Sequence, residues 1–179
     1  MNILHDISDS RITPEEFIAV IEIPRGGKKK YEIDKETGML ALDRIAPSGM
    51  YYPMNYGFIP RTHCEDGDAL DVCVLCSEDL DSMTLVNCRP IGLIEMMDCG
   101  ERDEKILAVA VKDPKFTEIK DLSDVSPSYI LEIMHFFKYY KAHDPKNVIE
   151  LKEPKSKDFA ISIVKEAKAL YNKKFGGKK

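Results

Sequence analysis

Short strand-like segments, the first alternating loosely over 16–23, fill the chain up to position 111, and a 3.6-residue apolar period takes over only after position 120. That change of period confines the chain to a strand-rich body with helices packed against it, an α+β layout built on a small curved sheet or barrel. Residues 16–23 (EFIAVIEI) are rich in β-branched side chains and end at Pro24, Gly26 and Gly27, so they read as a strand. Residues 30–34 and 39–45 read as a hairpin turning through Glu36-Thr37-Gly38. The Tyr-, Pro- and Gly-rich stretch 51–60 (YYPMNYGFIP) reads as irregular, and further strands are expected over 70–75, 83–88, 91–97 and 104–111. Ser126 followed by Pro127 opens a helix in which Ile130, Ile133, Met134, Phe136, Phe137 and Tyr140 recur at helical spacing. A second helix over 157–173 sets Phe159, Ile163, Val164, Ala167, Leu170 and Tyr171 on one face, and Gly176-Gly177 and two lysines should fray. No repeat or linker divides the chain, so a single domain over residues 1–179 is expected.

The longest unbroken aliphatic run, Ile106 to Val111, is far too short to cross a bilayer, and the N-terminus lacks a basic segment followed by an apolar one. Five cysteines at irregular spacing argue against a disulfide framework and for a reducing compartment, so a cytoplasmic protein with no membrane partner is expected. The net charge of −5 disfavours nucleic acid as a partner, and the cluster Lys28-Lys29-Lys30 is too short to reverse it.

The acids are unevenly spread. Asp66, Asp68 and Asp71 fall within six positions, and no Lys or Arg lies between Arg61 and Arg89. On an extended chain Asp66 and Asp68 share a face and Asp71 takes the other, so the three converge only if Gly67 bends the backbone. Two carboxylates about 4 Å apart repel by roughly 4 kcal/mol at an effective dielectric of 20, unless a cation sits between them. All-oxygen ligands select hard ions such as Mg²⁺, Mn²⁺ or Ca²⁺; a solvated acidic loop is the alternative. A calcium EF-hand does not fit: counted from Asp66, Asp71 stands where the loop needs Gly and Ser77 where it needs Glu. An aspartyl-phosphate motif fits poorly, because Arg61-Thr62-His63-Cys64-Glu65 precedes Asp66 in place of an apolar strand.

A second acid pair strengthens the metal reading. Asp98 and Asp103 flank Cys99-Gly100-Glu101-Arg102, and a hairpin with that four-residue loop would set them opposite each other, with Lys105 on the face of Asp103. An ordinary polar turn is the alternative. Lys30, Arg44, Lys105 and Lys141, with Tyr56 and Tyr140, are candidate anion binders. Lys30 and Glu32 share a strand face opposite Arg44, an arrangement that surface ion pairing also explains.

DGDALD (66–71) closely resembles the aspartate signature of the soluble family I inorganic pyrophosphatases, of bacterial type, and the rest agrees in order and spacing. IEIP (21–24) supplies Glu22, KYEIDKETG (30–38) supplies Lys30 and Glu32, and LDR (42–44) supplies Arg44. YYPMNYGFIP supplies Tyr52 and Tyr56; CRPIG (88–92) follows, then Asp98, Asp103 and Lys105, and HFFKYYK (135–141) ends in Tyr140 and Lys141. The resemblance implies a five-stranded OB-like β-barrel with additional strands and two main helices packed outside, in a homohexamer. It implies Mg²⁺-dependent hydrolysis of pyrophosphate, with several ions per site and Mn²⁺ or Zn²⁺ as substitutes. It further implies Asp66, Asp71, Asp98, Asp103 and Glu32 as metal ligands and Asp68 as the group that takes the proton of the attacking water. Lys30, Arg44, Tyr56, Lys105, Tyr140 and Lys141 would hold phosphate oxygens, with Glu22 and Tyr52 in support.

Two positions depart from the family pattern. Ala69 stands where Pro is usual, which should loosen the loop slightly, and Cys99 stands where relatives often carry another acid, which puts a thiol beside the site. Cys73 and Cys76 form C-x-x-C on a strand, where they face opposite sides and read as core thiols. His63 and His135 are given no role in the site. A nucleotide phosphohydrolase and a non-catalytic OB-like binding module are the rival readings. The first needs a base-stacking platform, which the sequence does not display; the second needs aromatics among basic residues, whereas here tyrosines lie among carboxylates.

Overall fold

Strand β1 (Phe17–Ile23) is buried at every residue because both of its faces pack into apolar clusters, and it pairs on both edges, with β4 (Asn55–Phe58) and with β6 (Leu85–Ile94). The computed structural model describes residues 2–47, 49–144 and 146–176, so most of the expected frayed end lies outside the described residues. Antiparallel pairing continues from β4 to β5 (Asp71–Leu75); β5 then runs parallel to β9 (Lys105–Ala110), which is antiparallel to β6. The order β1–β4–β5–β9–β6 and back to β1 closes a five-stranded barrel, which leaves these strands no free edges.

The extra strands lie around this barrel. β2 (Lys29–Ile33) and β3 (Leu40–Ile45) form a separate hairpin. β7 (Met96–Asp98) pairs with β8 (Glu101–Arg102) and with β10 (Ile149–Leu151), and β11 (Lys155–Ser156) adds to β6. Two helices, α1 (Pro127–Tyr139) and α2 (Lys157–Phe175), cover the outside. Alternation along the strands sends most buried side chains to two main cores, with a smaller cluster of Val20, Ile33 and Phe58 beside them. Val72, Val74, Ile106 and Ala108 pack with Ala160, Val164 and Ala167 of α2, whereas Cys73, Leu75, Leu107 and Val109 pack with Ile133, Phe136 and Phe137 of α1. Cys73 and Cys76 fall in different cores, as expected for free thiols. Among the described residues no helix is long and apolar enough to cross a membrane.

Five local expectations change. The stretch read as irregular contains β4, whose Gly57 lies so close to β1 that a Cβ there would meet the Val20 carbonyl oxygen at 1.8 Å. The strands expected over 83–88 and 91–97 are one strand through residue 94, because Pro90 sits at a register shift, where a missing amide is tolerated. The Asp98–Asp103 loop is a two-residue turn, not four: Cys99 (φ 51°) and Gly100 (φ 87°) are both left-handed, so Asp98 opposes Glu101. On α2, Phe159 is exposed and Ala160 takes the core position. Ser126 precedes α1 as expected, but its Oγ bonds Ser128 Oγ (2.8 Å) and caps no backbone amide.

Candidate active site

The parallel register of β5 and β9 aligns Asp71 with Lys105 at the start of both strands. Lys105 Nζ lies 2.5 Å from Asp71 Oδ2 and also pairs with Asp103. Burial pushes the Lys105 ammonium toward neutrality, but the Asp71 and Asp103 carboxylates outweigh it and hold its pKa well above the usual lysine range. The Asp103 amide donates to the Met96 carbonyl (2.9 Å), which places its carboxylate beside the β7–β8 hairpin and near Asp98.

Asp66, Gly67 and Asp68 form a tight turn. Gly67 has φ +91°, the Asp68 amide donates to Asp66 Oδ1 (2.9 Å), and the Cys64 amide donates to the Asp68 carbonyl (2.8 Å). The bend inferred from Gly67 therefore exists, and Asp66, Asp68 and Asp71 line one cavity of about 910 Å³. Burial raises the pKa of Asp66, and the carboxylates of Asp68, Asp71 and Asp103 add to the rise. Asp103 is raised by burial too, against the pull of Lys105.

The same cavity takes Glu22, Lys30, Glu32, Tyr52, Tyr56, Asp98, Asp103, Lys105, Tyr140 and Lys141, so all but one of the sequence-predicted site residues converge. Arg44 does not line it. It opposes Lys30 across the β2–β3 hairpin, but its guanidinium turns to Asp43 (2.7 Å). Lys141 pairs with Asp98, and Lys30 pairs with Glu32 and, at 3.3 Å, with Asp43. Burial pushes the Tyr56 hydroxyl well above the usual phenol range, with Asp71 and Asp103 adding to it, so it stays a donor at neutral pH. Burial and the charge of Asp71 push Glu22 up to about 8, and its Oε1 accepts from the Ile33 amide (3.1 Å), which ties β1 to the β2–β3 hairpin.

The donor set fits a divalent cation. It is all oxygen, its acids are crowded and partly desolvated, and Asp98 Oδ1 is buried with no hydrogen-bond partner among the described residues. Among the described residues no three acids, thiols or imidazoles already surround one point at metal-binding distance; lysine ammonium groups stand against Asp68, Asp71, Asp98 and Asp103.

The family profile described as inorganic pyrophosphatase matches residues 19–172. The chain belongs to the inorganic pyrophosphatase family. Soluble inorganic pyrophosphatase 2 of Chlamydomonas reinhardtii is 42% identical over 171 residues, 96% of this chain and 88% of the relative. The soluble inorganic pyrophosphatase of Oryza sativa subsp. japonica is 43% identical over 167 residues, 93% of this chain and 78% of the relative. The solved inorganic pyrophosphatase of Thermus thermophilus superposes with a TM-score of 0.90 at 36% identity, covering 96% of this chain and 99% of that one. On this pyrophosphatase fold, sequence reasoning missed Lys35 and Asp43. Lys35 pairs with Asp68 from the β2–β3 turn, and Asp43 holds both Lys30 and Arg44. Lys35 sits in KYEIDKETG, where only the hairpin's fold-back toward the aspartate turn reveals it. His63, given no role from sequence, also lines the cavity.

Proposed function

We propose that the chain hydrolyses inorganic pyrophosphate to two orthophosphates in a Mg²⁺-dependent reaction in the cytoplasm, as a homohexamer of the bacterial type. The reading is supported above all by the junction of Asp71, Lys105 and Asp103, which unites the DGDALD turn and the Asp98–Lys105 hairpin in one cavity. Asp66, Asp71, Asp98, Asp103 and Glu32 would hold the metal. When bound, the metal supplies neutralisation of the diphosphate charge and acidity of a coordinated water.

The chain's own groups do the rest. Asp68, more exposed than Asp71 or Asp103, takes the proton of the attacking water. Lys30, Lys105 and Lys141, with the Tyr56 and Tyr140 hydroxyls, donate to phosphate oxygens and stabilise charge on the leaving phosphate. Arg44 joins them on rotating from Asp43, which makes it a residue recruited by substrate. Glu22 and Tyr52 hold the cavity wall. Water attacks one phosphorus, the bridging oxygen leaves with the other, and both products are orthophosphate. No Ser, Cys or His nucleophile is required.

The test compares phosphate release from pyrophosphate and from ATP, each with Mg²⁺. Rapid release of two phosphates per pyrophosphate, with ATP far slower, supports the reading; preference for ATP, or no release from either, overturns it.

A further inference from the structure

The cavity is larger than the proposed reaction needs. At about 910 Å³ it lies at the upper end of the range, roughly 300–1,000 Å³, that holds drug-sized ligands. Past Asp68 and Lys35 its wall changes character, and the rings of His5, His63, Tyr171 and Phe175 line it together with Lys174. These residues come from the two ends of the chain and from the segment before the aspartate turn.

The rings form one packed group. Phe175 lies 5.0 Å from His5 and 5.0 Å from Tyr171 between ring centroids, and meets His63 edge-on at 5.7 Å. His5 Nδ1 lies 2.8 Å from the Tyr171 hydroxyl. Tyr171 is buried, whereas His5, His63 and Phe175 are only half-buried and keep accessible surface in the cavity. Arg61 braces the group: it donates to the His5 carbonyl (2.7 Å), stands over the Tyr171 ring, and brings its Nε to 3.6 Å from Asp9 Oδ1, all from a strained left-handed backbone (φ 57°). Lys174 Nζ lies 3.0 Å from His63 Nε2, and Lys35 spans from this lobe to Asp68.

Half-buried rings beside ammonium groups, opening from a cavity that binds phosphoanhydride oxygens, have the composition of a nucleotide subsite. We propose that this lobe binds the base of a nucleoside di- or triphosphate, stacked against Phe175 and His5, with the phosphates reaching past Lys35 and Lys174 toward the carboxylate end. The ligand then competes with pyrophosphate. The proposal rests on the reading that the carboxylate end takes the diphosphate, and it supplies the stacking platform absent from the sequence patterns.

Two probes isolate the base: methylene diphosphonate, and the methylene analogue of ADP, which carries the same phosphorus groups plus a nucleoside. Binding of each to the full chain is measured by calorimetry with Mg²⁺, alongside pyrophosphate turnover. Phe175→Ala and, separately, His5→Ala should weaken the ADP analogue by about 5- to 150-fold, the range expected for one lost stacking partner. Both variants should leave methylene diphosphonate affinity and pyrophosphate turnover unchanged. Equal weakening of both probes, or an ADP analogue unaffected by either substitution, overturns the proposal. If pyrophosphate is not hydrolysed and methylene diphosphonate does not bind, it is the diphosphate reading that fails.

Discussion

Asp71 and Lys105 open two parallel strands in register, and their side chains meet at 2.5 Å in a position where Lys105 is 2% exposed. Parallel strands need a long crossover between them, so this pair joins segments 34 residues apart and welds the aspartate turn to the second acid pair. Lys105 thus has a structural duty as well as its proposed role at the phosphate oxygens.

Removing that ammonium should leave Asp71 and Asp103 facing each other with no protein cation between them. We expect Lys105→Met to cost about 3–5 kcal/mol, the scale for breaking a buried ion pair. The loss should shrink at saturating Mg²⁺, because a bound cation relieves the same repulsion and stabilises the folded state. Urea unfolding with Mg²⁺ and with a chelator measures both; a loss independent of metal contradicts the shared-cation picture.

Asp68 is exposed, and among the described residues its carboxylate is paired with Lys35 of the β2–β3 turn alone. Asp68→Asn should therefore fold with a thermal midpoint near that of the wild type, yet lose turnover by about 10²–10⁴-fold, the usual size of a general-base contribution. Near-wild-type turnover would remove Asp68 from that role.

Asp113 lies away from the site and tests the electrostatics of the fold. Burial pushes its carboxyl up, but the amides of Ser77 (2.6 Å) and Lys115 (3.0 Å) outweigh this and hold it at about 2. The folded pKa is below the unfolded one, near 3.9, so the unfolded state binds the extra proton. The stabilisation is complete above pH about 4 and is lost as pH falls toward about 2. Asp113→Asn should lower stability at neutral pH, and its curve should converge with the wild type toward pH 2. Parallel curves across that window contradict this.

Cys99 lines the cavity next to Asp98, and of the five cysteines it is the exposed one. A mercurial should inhibit the wild-type chain by placing bulk beside Asp98, and Cys99→Ser should resist it. Equal sensitivity would place the reactive thiol elsewhere.

Most of the site was legible because each residue belongs to a short segment with its own logic: Gly67 announces the bend, and Asp98 and Asp103 bracket a turn. What was not legible depends on contacts between segments. Gly57 reads as a loop residue until β1 is seen pressed against it. Cys99-Gly100 lacks the Asn-Gly or Asp-Gly signature of a two-residue hairpin, so the turn looked longer than it is. Arg44 is on the expected strand, yet its rotamer is set by Asp43 beside it. His5 and Tyr171 are 166 residues apart, and no local period links them.

The most direct test titrates Mg²⁺ into the wild-type chain and into Asp71→Asn while following phosphate release from pyrophosphate, with a chelator control. Release of two phosphates per pyrophosphate, abolished by the chelator and needing far more Mg²⁺ in Asp71→Asn, is the expected result. Turnover that survives chelation, or a Mg²⁺ requirement unchanged by the loss of Asp71, would contradict a carboxylate cavity that works by gathering divalent cations.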